Sequence, residues 1–193
     1  MRRALACALA PLALLACAPE PAARDDLFSR LQSLCGAAFQ GSVVSDDPRD
    51  ADWAGETLTV HVRECDAATV RIPLHVGEDR SRTWVVTRLE DGRLRLKHDH
   101  RHEDGSEDVL TQYGGETEAP VTGLAARFPA DAESRALFER EAIAASMDNV
   151  WTLALDPQAQ TLTYALDRPD RHFEARFDLA RPVEAPPPPW GAR

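Results

Sequence analysis

Three imidazoles fall close together in the run Lys97-His98-Asp99-His100-Arg101-His102. If the run is a strand, its side chains alternate, so Leu94, Leu96, His98, His100 and His102 share one face while Arg93, Arg95, Lys97, Asp99 and Arg101 share the other. The histidines then continue an apolar face. Imidazoles two residues apart on a strand are about 6.6–6.8 Å apart at Cα, a span two rings can close on one metal ion; His98 and His102 stand about twice as far apart. The workable sets are His98 with His100, or His100 and His102 with Glu107, which leave a partly open site for zinc or a similar divalent metal. The competing reading is a solvated strand end, because Asp99, Glu103, Asp104, Glu107 and Asp108 surround the run and such residues rarely lose their water.

The partners of this face follow from two hairpin signals, Asp91-Gly92 and Asp104-Gly105. Read as two-residue loops, the first sets His98 opposite Val85 and His100 opposite Thr83. The second sets His102 opposite Glu107, His100 opposite Val109, His98 opposite Thr111 and Leu96 opposite Tyr113. One face would then collect three imidazoles, a carboxylate, two hydroxyls and a phenol.

The elements that must hold this face are mostly strands. Leu58, Val60 and Val62 alternate with polar neighbours, as do Val70, Ile72, Leu74 and Val76, where Pro73 marks an edge or a bulge. Further strands are expected over residues 83–90, 93–102, 107–113, 150–156, 161–166 and 172–179. Leu27, Leu31, Leu34 and Cys35 recur at helical spacing behind Asp25 and Asp26, giving a short N-terminal helix over 25–35, and Asp131 opens a second helix over about 131–145. The fold class is therefore mainly β, an antiparallel meander that closes most readily as a lipocalin-like β-barrel, with a β-sandwich as the alternative.

The chain ends bound its location. Met1-Arg2-Arg3 precedes an apolar run to Ala16, too short to span a bilayer and patterned as an export signal. The junction Leu14-Leu15-Ala16-Cys17 resembles the lipobox of bacterial lipoproteins, although Leu15 stands where smaller or β-branched residues are more common; that resemblance implies lipidation of Cys17 and, with Ala18 following, an outer-membrane protein facing the periplasm. The expected organisation is a signal peptide over 1–16, a lipidated spacer over 17–24, one domain over 25–181 and a proline-rich tail over 182–193. Cys35 and Cys65 are then the remaining pair, and in an oxidising compartment they are expected to form a disulfide. A net charge of −10 without any basic stripe implies neither nucleic acid nor anionic lipid headgroups as partners; the expected membrane contact is through the lipid. The tail, with prolines at 186–189 before Trp190, is a packing extension or a polyproline II docking segment.

Other chemistry is thinner. Asp46, Asp47, Asp50 and Asp52 lack calcium-loop spacing. His75, Glu78 and Asp79 lie at a hairpin beside Arg80 and Arg82, and His61 and His172 are isolated. No nucleophile elbow, phosphate loop, dinucleotide fingerprint or His-Glu-x-x-His occurs, so an enzyme reading has no motif. The stretch Arg71–Gly115, notably His75-Val76-Gly77-Glu78-Asp79-Arg80 and Lys97 to Asp108, resembles a group of uncharacterised bacterial exported proteins; the resemblance implies export and carries no mechanism. The expected role is a lipid-anchored envelope protein whose barrel binds a small ligand or a metal through the histidine face. A structural or assembly protein acting through its surface on an envelope partner is the alternative, and a metal-dependent hydrolase the third reading.

Overall fold

The computed structural model describes residues 25–192; the leader, Cys17 and the spacer to residue 24 lie outside the described residues. Helix α1 (Leu27–Ser33) starts at Asp26, whose carboxylate accepts from the Ser29 N–H at 2.9 Å, and it buries Leu27, Phe28 and Leu31. Strands β1 (Ala38–Val43), β2 (Leu58–His61), β3 (Glu64–Cys65), β4 (Thr69–Val76), β5 (Asp79–Arg88), β6 (Leu94–His100) and β7 (Tyr113–Glu116) follow, with a four-residue helix α2 (Ala51–Ala54) between β1 and β2. The second half holds β8 (Ala125–Pro129), helix α3 (Ala132–Arg140), β9 (Val150–Asp156), β10 (Thr161–Arg168) and β11 (Arg171–Val183).

All pairings are antiparallel, in the order β7-β6-β5-β4-β2-β1-β11-β10-β9-β8, with β3 added on β4. Sequence neighbours are thus spatial neighbours, and the last strand returns to lie beside the first. The sheet curls into a nearly closed barrel whose seam is β7 against β8, as the meander expectation requires. At the seam the Asp131 N–H donates to Gly114 O at 2.9 Å, and Ser134 Oγ accepts from Gly114 N at 2.7 Å. Gly115 is needed for its size: a Cβ there would collide with the Pro129 carbonyl.

Alternation fills the interior. Leu58, Val60, Ile72, Leu74, Trp84 and Phe177 are each at most 1% exposed, and burying one such side chain contributes about 1.5–3 kcal/mol. Helix α1 packs at the end of the barrel where β5 finishes, with Arg88 pairing with Asp26 and lying 4.7 Å over the Phe28 ring. Cys35 and Cys65 form the expected disulfide, joining the segment after α1 to β3.

Several expectations need correction. Both Asp-Gly loops hold three residues, with Gly92 and Gly105 in the left-handed region at φ +85° and +86°, so the pairing slips by one: Trp84, not Val85, faces His98, and Arg82 faces His100. The strand expected over 107–113 is mostly loop, bridged once at Arg101 and Glu107, and the true strand is β7, which starts at Tyr113. Its two glycines, Gly114 and Gly115, serve close approach. Strands β1 and β8 were not foreseen: β1 carries a register shift between Phe39 and Gly41 that hides its alternation, and β8 is only five residues long. Helix α3 stops at Arg140, short of 145, where Ala142 adopts φ 58°. Pro73, expected at an edge or a bulge, lies inside the sheet at a break in pairing: β2 pairs with Leu74–Val76 and β3 with Val70–Arg71, leaving no ladder partner on that side of Pro73. Strand β11 runs to Val183, past the boundary set at 181. The tail beyond it returns to the barrel: the Trp190 N–H donates to Arg80 O at 3.0 Å and Arg80 Nη1 to Pro188 O at 3.2 Å.

Candidate ligand cavity

Strand β6 presents Leu94, Leu96, His98 and His100 to the interior, the parity expected from sequence, while Lys97, Asp99 and Arg101 form ion pairs outside. The two leucines belong to the packed core. The two histidines instead reach a cavity of about 480 Å³ at the end of the barrel opposite α1, within the range of small-molecule sites.

His98 is 2% exposed and both its ring nitrogens are engaged. Nδ1 lies 3.1 Å from the Tyr113 carbonyl and Nε2 lies 2.8 Å from the Tyr164 hydroxyl. A carbonyl only accepts, so Nδ1 carries the proton and Nε2 accepts from Tyr164. Burial, and after it the neighbouring His100, push the imidazole down to about 3. The ring is therefore neutral at physiological pH. It stacks on Tyr113 at 4.6 Å between centroids and packs against Trp151 at 5.1 Å.

His100 is held by Tyr113, whose hydroxyl lies 3.1 Å from Nε2. Burial and then the Arg82 guanidinium push its imidazole down to about 4. Burial also lifts the Tyr113 phenol to about 12. Trp84, beside His98 on β5, stacks on Tyr164 of the far wall at 4.3 Å. Toward the mouth, Trp53 of α2 meets Phe173 edge-on at 5.3 Å, and the Arg82 guanidinium lies 5.0 Å over the Trp53 ring.

The four metal candidates do not come together. His98 and His100 share the cavity, with ring centroids 6.5 Å apart. His102 lies past the end of β6 with its side chain 57% exposed and Nε2 3.9 Å from Asp108, while Glu107 pairs with Arg101 at 3.0 Å. Among the described residues no group of three or more His, Cys, Asp or Glu side chains could hold a metal ion. A metal on His98 Nε2 would displace the Tyr164 hydrogen bond. Cys17, the lipid acceptor expected from sequence, lies outside the described residues.

No family model, curated protein or solved structure matches the chain. Sequence reasoning had missed Tyr164, Trp84, Trp151, Arg82 and Asn149 as cavity residues. The alternation of Leu162, Tyr164 and Leu166 could have placed Tyr164 on an inner face, but its pairing with His98 crosses the barrel interior and leaves no trace in local spacing.

Proposed function

We propose that this protein is a non-enzymatic, lipid-anchored binder of the bacterial envelope whose barrel takes a small organic molecule. The observation that carries the reading is a cavity that is open at one end of an otherwise packed barrel and lined by aromatic rings with two neutral imidazoles. Such a mixture of apolar wall and a few fixed polar groups suits an organic ligand. A divalent metal is less well served, since only two of the four candidate ligands meet and one of them is already doubly hydrogen-bonded. For the surface-acting alternative, the tail is tied to its own barrel at Pro188 and Trp190.

Titration of the mature protein with N-phenyl-1-naphthylamine, a neutral dye whose fluorescence rises on leaving water, tests the cavity. Saturable one-to-one binding is expected, and Leu166→Trp, which fills the cavity from β10, lowers affinity at least about tenfold, or roughly 1.4 kcal/mol. Wild-type protein without saturable binding, or binding indifferent to Leu166→Trp, contradicts the reading. The anchor is tested by mass spectrometry of the mature N-terminus, where a diacyl increment on Cys17 is expected. A mature protein that is soluble without detergent and begins after Cys17 contradicts it.

A further inference from the structure

The lining of the cavity is richer in arginine than in carboxylate. The protein carries a net charge of −10, yet Arg49, Arg82, Arg168 and Arg171 line the cavity against only Asp50 and Asp108. Both Asp50 oxygens are spent, one on Arg171 and one on the Ser45 hydroxyl at 2.9 Å. Asp108 accepts from the Leu110 N–H at 2.7 Å and faces His102. Three further carboxylates, Asp47, Asp79 and Asp170, pair with the arginines from outside the cavity wall.

These pairings leave donors uncommitted. Arg82 faces inward because its strand partner is His100, and the hydrogen bonds it makes among the described residues, to Asp79 and to Ser81 Oγ, all leave from Nη1. The Nε and Nη2 edge of the guanidinium has no protein acceptor there, and a guanidinium donates in a planar fork that matches anionic oxygens. A second, independent sign of a polar occupant is Asn149. It lines the same cavity, is 6% exposed, and its Oδ1 has no hydrogen-bond partner. Buried amide oxygens are seldom left so. The remaining wall is flat and aromatic, with Trp84 parallel to Tyr164 and Tyr113 parallel to His98, each pair within 17°.

We propose that the ligand is a flat aromatic molecule carrying an anionic group, its rings lying toward the mouth among Trp53, Tyr113 and Leu166 and its anion on Arg82. This deepens the cavity reading above and rests on it. His98, with both ring nitrogens engaged, serves only as wall, whereas His100, bonded to Tyr113 through Nε2, keeps Nδ1 for the ligand; both rings are neutral at physiological pH and neither attract nor repel its charge.

The test uses two dyes that share one skeleton and differ by a single sulfonate, N-phenyl-1-naphthylamine and 1-anilinonaphthalene-8-sulfonate, titrated into the wild-type mature protein at low salt. Both should bind one-to-one, with the sulfonate tighter by about tenfold or more. Arg82→Gln should weaken the sulfonate at least about tenfold more than the neutral dye, and Arg82→Lys should retain part of the preference. Should Arg82→Gln not fold, the wild-type ratio at low salt and its collapse in 1 M salt, on the order of the screening expected there, decide alone. Equal or tighter binding of the neutral dye overturns the anionic class and leaves the cavity reading standing. Failure of both dyes to saturate, or survival of both in Leu166→Trp, overturns the cavity reading itself.

Discussion

The Tyr164 hydroxyl donates to His98 Nε2 across 2.8 Å, from β10 on one wall of the barrel to β6 on the other. That bond takes up the imidazole's one acceptor nitrogen, fixes its tautomer and orients its ring against Tyr113. Replacing Tyr164 by Phe leaves a buried nitrogen without its donor and should cost about 1–3 kcal/mol. Because the two groups act on each other, a double-mutant cycle of Tyr164→Phe with His98→Phe should show a coupling of about 1 kcal/mol in urea unfolding. Strictly additive effects would mean that the bond contributes nothing.

Acid should destabilise this fold earlier than carboxylate titration alone predicts. The His98 and His100 imidazoles sit at about 3 and about 4, below the ordinary 6.5. The unfolded chain therefore takes up protons from about pH 6.5 downward while the folded protein does not. Stability is whole above pH 6.5 and falls as the pH drops toward 4, with a slope approaching about 1.4 kcal/mol per pH unit for each imidazole. Burial lowers His61 and His75 as well, so the share of His100 is read as wild type minus His100→Gln in urea unfolding at pH 7.5, 6.0 and 5.0. A variant that loses as much stability as wild type on acidification would remove His100 from the account.

Closing a loop between residues 30 apart in sequence restricts the unfolded chain by about 3–4 kcal/mol on the chain-entropy model. Reduction, or the Cys35→Ser, Cys65→Ser pair, should lower the urea midpoint by a corresponding amount without altering the far-ultraviolet spectrum at low urea.

The tail makes a finer prediction. Trp190 binds the barrel through its backbone and ring, but its buried Nε1 has no acceptor. Trp190→Phe should therefore be nearly neutral, since it deletes an unsatisfied donor, whereas Trp190→Ala should cost about 1–2 kcal/mol through lost packing. Equal losses in the two thermal melts would show that the N–H, not the ring, carries the contact.

These outcomes rest on features of unequal visibility in the sequence. Alternation at Leu94, Leu96, His98 and His100 was readable because one face of β6 is buried, and a period of two has no other physical source. The Cys35–Cys65 bridge was readable from chain arithmetic. The register was not, since Asp-Gly serves both two- and three-residue loops and the flanking residues do not distinguish them. Strand β1 hid behind its irregular pairing with β11. The cavity was least visible: Arg82, Asn149 and Tyr164 come from segments far apart in sequence, and only closure of the barrel brings them beside His98 and His100.

The central claim is that His98 and His100 form the wall of a cavity that admits a small molecule. The most direct measurement follows the imidazole resonances of the mature protein by NMR during titration with 1-naphthol, a small soluble aromatic. The account predicts saturable shifts at His98 and His100 with His172, on the outer side of β11, unmoved. Shifts absent from His98 and His100, or of equal size at all three rings, would contradict it.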